Sequence, residues 1–185
     1  MDLGNLEKEN YVIKFLTAVL VVCFLLIPAY AQDTPKAEVF GGYQFTHADI
    51  EGVGLSFNGW NASVTGNVNK WFGVTGDFSG AYKSELGASL KVHTYAFGPT
   101  ISVNHEGTVN PFVHVLFGGA TASLSAFDIG GSTTGYTIMA GGGADAKLSP
   151  RLAVRVIQAD WVYYHFEGIG LKKNIRVSTG IVLRF

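Results

Sequence analysis

The stretch that decides the fold is Ile175-Arg-Val-Ser-Thr-Gly-Ile-Val-Leu-Arg-Phe185. Its odd-numbered positions are mostly apolar and end on an aromatic ring, whereas its even-numbered positions include two arginines. Because successive side chains of a β-strand point to opposite faces, one face of this strand could lie in lipid and the other could not. Such alternation, repeated between turns, is the sequence signature of a transmembrane β-barrel.

The same alternation recurs in seven earlier segments, separated by the turn-forming residue types Gly, Asn, Asp, Ser and Pro. They are residues 37–46, 60–68, 72–83, 94–103, 111–121, 136–147 and 152–164. With the last segment they make eight strands, an even number, as bacterial single-chain barrels have. We therefore predict an all-β fold: an eight-stranded antiparallel transmembrane up-and-down β-barrel that follows a cleavable signal peptide.

The seventh segment departs once from the alternation. Arg155 occupies an odd position, whereas Gln158 and Asp160 occupy even positions. All three can face inward only if the strand shifts by one residue between them. This predicts a β-bulge near Val156 and Ile157.

Residues 1–31 are predicted to be a signal peptide and residues 32–185 the barrel domain. The apolar run Phe15–Pro28 is shorter than the roughly 20 residues of a membrane-spanning helix, although a retained anchor helix is the alternative. Ala29-Tyr30-Ala31 then matches a signal peptidase site. The acidic lead at 1–11 leaves open a start near Val12, which export of a chain lacking those residues would test.

The charge and cysteine content exclude several classes of protein. The chain has 13 basic and 14 acidic residues; its first 31 residues contain two lysines and three acidic residues, so the mature part has eleven of each. This balance provides no basic surface for nucleic acid, and no nucleic-acid partner is expected. The only cysteine, Cys23, lies in the signal peptide, so the mature chain has neither disulfide nor thiolate chemistry.

An even number of strands puts both ends of the barrel domain on one side, which we expect to be the periplasm. Tight turns are expected on that side, at 69–70, 104–110 and 149–151, and longer outer loops at 47–56, 84–91, 122–134 and 165–173. Aromatic side chains of the lipid face should then collect near the outer membrane interface. This predicted outer aromatic girdle comprises Tyr43, Trp60, Tyr82, Tyr95, Tyr136, Trp161 and Tyr163.

The inward face carries charged side chains of both signs. An eight-stranded barrel is just wide enough inside for side chains to fill it, and a buried charge without a partner is costly. We therefore predict an ion-pair network that closes the lumen, and a narrow pathway for small ions or solutes is the alternative. The predicted lumen network comprises Glu38, Asp77, Asp145, Lys147, Arg155, Asp160, Arg176 and Arg184.

No residue pattern indicates catalysis, a cofactor or a metal site. The five histidines lack the spacing of a metal site on one strand or helix. The triplet Gly141-Gly142-Gly143 is followed by neither the lysine nor the helix of a phosphate-binding loop. We therefore expect no catalytic, cofactor-binding or metal-binding residue, no cofactor and no enzymatic activity.

The terminal strand, Val39-Phe-Gly-Gly-Tyr43 and Trp71-Phe-Gly-Val-Thr-Gly-Asp77 resemble strands of the small OmpA/OmpX-type barrels, within the broad group of outer-membrane protein β-barrel domain proteins. The resemblance covers about residues 36–185 and implies a bacterial outer-membrane location. It also implies that an assembly signal, read by the outer-membrane insertion machinery, is formed by Phe185, Leu183 and Ile181.

Members of this family have structural, adhesive and stress-related roles, and a few are enzymes. The lipid A deacylase barrels among them carry a His-x-Ser pair, which this chain lacks. The resemblance thus implies a non-enzymatic structural, adhesive or surface-interaction role, with membrane lipid and lipopolysaccharide as partners and a monomeric state. The alternatives are a narrow pore and, in another class, a soluble lipocalin-like lipid-binding barrel.

Overall fold

The structure is a computed structural model that describes residues 35–50, 53–85, 88–103, 107–126, 129–167 and 169–185. The predicted signal peptide lies outside these ranges, and so do residues 104–106 of the predicted 104–110 turn. No helix capable of crossing a bilayer occurs in the described part of the chain.

The described residues form eight antiparallel strands, and each strand pairs with its neighbours in sequence. The strands are β1 Ala37–Ile50, β2 Val53–Asn67, β3 Phe72–Glu85, β4 Ala88–Ser102, β5 Val109–Ala126, β6 Ile129–Ser149, β7 Leu152–Phe166 and β8 Ile169–Arg184. Pairing of β8 with β1 closes the sheet into a barrel. The predicted eight-stranded fold is confirmed.

The closing seam is continuous along β1. Its register runs from Glu38 opposite Arg184 to Ala48 opposite Asn174. Beyond it, the backbone N–H of Phe185 donates to the carbonyl of Ala37 over 2.9 Å. Among the eight described strands closure leaves no free sheet edge. A membrane-spanning sheet needs this closure because lipid offers unpaired backbone groups no hydrogen-bond partner. We call the end of the barrel where Glu38 pairs with Arg184 the terminal end. The opposite end, beyond Ala48, is called the hairpin end.

The two faces of the strands differ as the alternation predicted. On β8, the outward Ile175, Ile181 and Leu183 are exposed, whereas the inward Arg176 and Ser178 are buried. The other strands also have apolar side chains outside, and their inward side chains are partly polar and partly apolar, as at Leu116, Met139 and Val162. An apolar outer surface that encircles a barrel is expected for contact with lipid rather than water.

The β-bulge predicted in the seventh strand is confirmed. Val156 and Ile157 both face outward, and the pairing of β7 with β8 passes from Arg155 directly to Gln158. The extra residue restores the inward direction of Asp160 after the bulge. Without this shift, one of the two charged side chains would lie in the apolar outer surface.

The four predicted outer loops are wrong, because strand pairing continues through them. Only two residues separate the strands at each of these connections, which follow Ile50, Glu85, Ala126 and Phe166. Small and polar residues such as Ser123 and Ser132 form cross-strand pairs there. Their composition indicated loops, but a two-stranded ladder supplies the backbone hydrogen bonds that matter more than side-chain type.

Two of the three turns expected at the terminal end are confirmed. The first, between β2 and β3, is held by the Asn69 side chain, which accepts hydrogen bonds from the N–H groups of Trp71 and Phe72 over 2.9 and 2.8 Å. The second joins Ser149 to Leu152. The connection between β4 and β5 spans 103–108, so strand β5 begins within the predicted 104–110 turn.

Candidate functional site in the barrel interior

Arg176 connects opposite walls of the barrel. It lies on β8, and its Nη1 is 2.7 Å from Oδ1 of Asp77 on β3, two strands beyond the adjacent β1. Its Nη2 also contacts Asp160 Oδ2 on the neighbouring β7, at 2.7 Å. All three side chains are almost completely buried. One guanidinium therefore ties three strands together across the lumen, with the geometry of charge-assisted hydrogen bonds.

Arg155 forms a second centre nearer the terminal end. It makes a bidentate pair with Asp145, with distances of 2.8 Å from Nε to Oδ1 and 3.1 Å from Nη2 to Oδ2. Its guanidinium carbon lies 4.4 Å from the ring centre of Phe40 and 4.3 Å from that of Phe112. Aromatic faces attract a cation at this distance. The two uncharged rings therefore help to stabilise the Arg155 guanidinium in the lumen.

The amide side chain of Gln158 joins the two centres. Gln158 accepts a hydrogen bond from Arg155 Nη1 at 2.7 Å and donates one to Asp160 at 2.8 Å. His114 Nε2 lies 2.8 Å from the other oxygen of Asp160. The result is one connected network from β6 to β3. A buried carboxylate is tolerated where such hydrogen bonds complete its ion pair.

Seven of the eight predicted lumen residues take part in buried ion pairs. Two of these seven, Glu38 and Arg184, form a separate pair at the terminal end, with Arg184 Nε 2.9 Å from Glu38 Oε1. Lys147 is only half-buried and forms none of the ion pairs found among the described residues. It lies close to the end of β6, where its ammonium can reach solvent, so burial does not force it to pair.

Sequence reasoning did not assign Asn61, Gln158 and His114 to the network. Asn61 donates to Asp77 Oδ2 at 2.9 Å, and Gln158 bridges Arg155 and Asp160. Each has the inward parity of its strand, which was the available signal. Parity alone could not show which inward side chains meet across the lumen.

Threonine hydroxyl groups and a small polar cavity lie beside the network. Thr75 lies 2.8 Å from Thr65 and 2.6 Å from Thr100, measured between hydroxyl oxygens. A polar cavity of about 10 Å³ adjoins Thr75, Asp77 and His114. That is about the minimum space for one water molecule. This part of the lumen is consequently narrow and polar.

The residues of the predicted outer aromatic girdle face outward, and the two tryptophans donate hydrogen bonds to neighbouring strands. Trp60 Nε1 donates to the Tyr82 hydroxyl at 3.0 Å, and Trp161 Nε1 donates to the carbonyl of Lys172 at 2.6 Å. Gly80 makes the first of these contacts possible, because a Cβ there would lie 2.7 Å from the Trp60 nitrogen. The other members are Tyr43, Tyr95, Tyr136 and Tyr163.

No group of three or more His, Cys, Asp or Glu side chains suited to a metal ion is found among the described residues. The two histidines nearest the hairpin end have other contacts. His47 Nδ1 lies 3.1 Å from the Ser56 hydroxyl, and His165 Nδ1 lies 3.3 Å from the Tyr163 hydroxyl.

The model of the family described as "Outer membrane protein beta-barrel domain" matches residues 16–185. The chain belongs to this family. Membership places it among the β-barrel proteins of the bacterial outer membrane and excludes the soluble lipocalin-like alternative. No curated protein sequence matches the chain significantly.

Several solved outer-membrane barrels share the fold at low sequence identity. Neisserial surface protein A has a TM-score of 0.70 and 10% identity, over 81% of this chain and 97% of that one. The attachment invasion locus protein Ail of Yersinia pestis has a TM-score of 0.60 and 18% identity, over 82% and 99%. OprG of Pseudomonas aeruginosa has a TM-score of 0.51 and 11% identity, over 82% and 96%.

Proposed function

We propose that this protein is a monomeric, non-enzymatic barrel of the outer membrane, closed to ions, whose function is a surface interaction at its hairpin end. The observation that carries the closed lumen is the contact of Arg176 with both Asp77 and Asp160. The surface interaction rests on the β5–β6 hairpin, whose strands continue past the girdle. The protein's proposed partners are the membrane lipid and lipopolysaccharide around the barrel, and the insertion machinery during assembly. Both termini of the barrel domain lie in the periplasm.

The hairpin end supports a surface role because strands continue well past the girdle. The β5–β6 hairpin continues seven residues along β6 beyond Tyr136, to Ile129. Its exposed side chains there include Ser125, Ser132 and Thr134, which are suited to water rather than lipid. Among the structural neighbours, one is named a surface protein and another an attachment protein. A projecting, hydrated sheet offers a partner both backbone and side-chain contacts.

A measurement of ion conduction distinguishes the proposed closed barrel from a narrow pore. We expect the purified protein to show no steady channel in a planar bilayer, because Arg176 is ion-paired across the lumen and the polar cavity beside the network has space of only about 10 Å³. Replacing both Arg155 and Arg176 with alanine should raise conductance if the variant still folds, which heat-modifiable migration on a gel would establish. Steady, uniform conductance steps from the parent would replace the proposal with the pore.

The orientation can be tested by cysteine labelling, since the mature chain has no cysteine of its own. Ser125→Cys lies at the hairpin end and Arg151→Cys at the terminal end. A membrane-impermeant maleimide should label the first in intact cells, and the second only after the outer membrane is permeabilised. Labelling of Arg151→Cys alone in intact cells would show that the barrel is inverted.

A further inference from the structure

The β7–β8 pair contains a second β-bulge, near the hairpin end. Leu171 and Asn174 of β8 both point into the barrel, where they line a part of the interior with mostly apolar walls. The two residues between them, Lys172 and Lys173, are exposed and lie opposite the single residue Tyr163 of β7. In a regular strand one of the two lysines would point into this apolar interior. The bulge turns both of them outward.

Hydrogen bonds from both faces of the sheet stabilise this bulge. On the outer face, Trp161 Nε1 donates to the carbonyl of Lys172 at 2.6 Å. On the inner face, Asn174 Nδ2 donates to the carbonyls of Val162 and Leu171, both at 2.9 Å. A bulge interrupts the ladder of backbone hydrogen bonds, and these side chains supply partners for the carbonyls around it. The outward direction of the two lysines is therefore fixed by the backbone.

The lysines lie at the level of the outer aromatic girdle. Trp161, a member of the girdle, pairs with Ile175, and Lys173 is the next outward-facing residue of β8 toward the hairpin end. Tyr163, another member, lies directly opposite the bulge. Aromatic girdles mark the boundary between the hydrocarbon and the headgroups of a membrane. A lysine at this boundary can place its ammonium among the headgroups while its stem contacts apolar surface.

Positive charge exceeds negative charge among the described residues at the bulge. Lys172 forms none of the ion pairs found in the described part of the chain. Lys173 is 81% exposed, and its Nζ lies 3.8 Å from Oδ2 of Asp49 on β1. Glu167, in the β7–β8 turn, accepts a hydrogen bond from Thr133 of β6, on the far side of β7, at 3.0 Å. Two cations therefore accompany the single carboxylate of Asp49, and this balance favours an anionic ligand.

We propose that Lys172 and Lys173 bind the phosphate groups of lipid A, the membrane-embedded part of lipopolysaccharide. This site deepens the proposed function and rests on its outward orientation of the hairpin end. Lysine binds phosphate as a point charge, and basic residues at a membrane surface attract anionic lipids. The acyl chains of lipid A would contact the apolar outer surface next to Ile175, with the phosphate groups at the bulge. A zwitterionic phospholipid fits less well, because its own ammonium compensates its phosphate.

The test compares bisphosphorylated lipid A with the same lipid after removal of both phosphates. Purified protein in a nonionic detergent with EDTA is titrated with each lipid, and native mass spectrometry resolves the protein with and without bound lipid. The parent should bind the phosphorylated form more tightly, and each lysine should contribute about fivefold to this preference. Lys172→Gln and Lys173→Gln should each lower that affinity about fivefold, and the double variant should bind both lipids equally.

Lys91→Gln is the matched control. Lys91 is an exposed lysine of β4 that pairs with the girdle residue Tyr82, in a strand pair without a bulge. Its replacement should leave both affinities near those of the parent, and heat-modifiable migration on a gel establishes that each variant is folded. Equal affinities of the parent for the two lipids, or a loss in the double variant no larger than in Lys91→Gln, would overturn the site. Conduction and cysteine labelling test the proposed function separately, so failure of either proposal is distinguishable from failure of the other.

Discussion

Replacing Arg176 with leucine should lower the free energy of unfolding by about 3–5 kcal/mol, the usual effect of removing one partner of a buried ion pair. The Arg176 side chain is 2% exposed and bonds two carboxylates, those of Asp77 and Asp160. Without it, two negative charges remain in an interior with little water. Urea unfolding of the barrel in lipid vesicles, followed by tryptophan fluorescence, measures the change.

Two controls identify the cause of this loss. Lys173→Leu removes a cation that is 81% exposed and 3.8 Å from Asp49; it should change stability by no more than about 1 kcal/mol, as exposed ion pairs do. Adding Asp77→Asn and Asp160→Asn to Arg176→Leu should recover part of the loss, because no unpaired charge remains buried. Parent-like unfolding of Arg176→Leu would mean that water solvates these carboxylates and that the lumen is open.

Replacing Phe185 with serine should lower the amount of assembled barrel in the outer membrane severalfold. Phe185, Leu183 and Ile181 form the outward apolar row of the strand that closes the barrel, and they resemble the signal read by the insertion machinery. The Phe185 ring is 68% exposed, whereas its N–H and carbonyl bond β1. Serine preserves these backbone bonds and removes the ring alone. Heat-modifiable barrel in membrane fractions gives the measurement.

The control for this substitution is Leu148→Ser. Leu148 is 64% exposed and lies near the terminal end of β6, but not in the closing strand. Its loss should leave assembly in cells near the parent level. Both variants should refold into lipid vesicles without the machinery at similar yield. If Phe185→Ser fails equally in vesicles, the ring acts through stability, and the assembly-signal interpretation is wrong.

Strand number, face assignment and the β-bulge were predictable because they depend on local pattern. Side-chain direction in a strand has a period of two, so each inward arginine of β8 could be identified from its neighbours. The bulge followed from the parity change between Arg155 and Gln158. A charge in the lipid-facing surface is costly enough to exclude the unshifted strand. Such inferences require no knowledge of which strands are in contact.

The strand ends were less predictable than the faces. The segments at 47–56 and 122–134 contain small and polar residues that suit loops and hydrated hairpins equally well. Their pairing became apparent only from the register, in which Ala126 lies opposite Ile129. A hairpin is stabilised by hydrogen bonds between two backbones, and residue type reports on these weakly.

The sequence by itself determined a membrane barrel with apolar side chains outside and charges inside. Only the tertiary structure decided how those charges pair and where the interior changes from polar to apolar. Arg176 and Asp77 are 99 residues apart in the chain, and Asn61, Gln158 and His114 complete their network from other strands. Parity gives the face of a residue. Its height in the barrel and its neighbours across the lumen depend on register, tilt and closure, which are properties of all eight strands together.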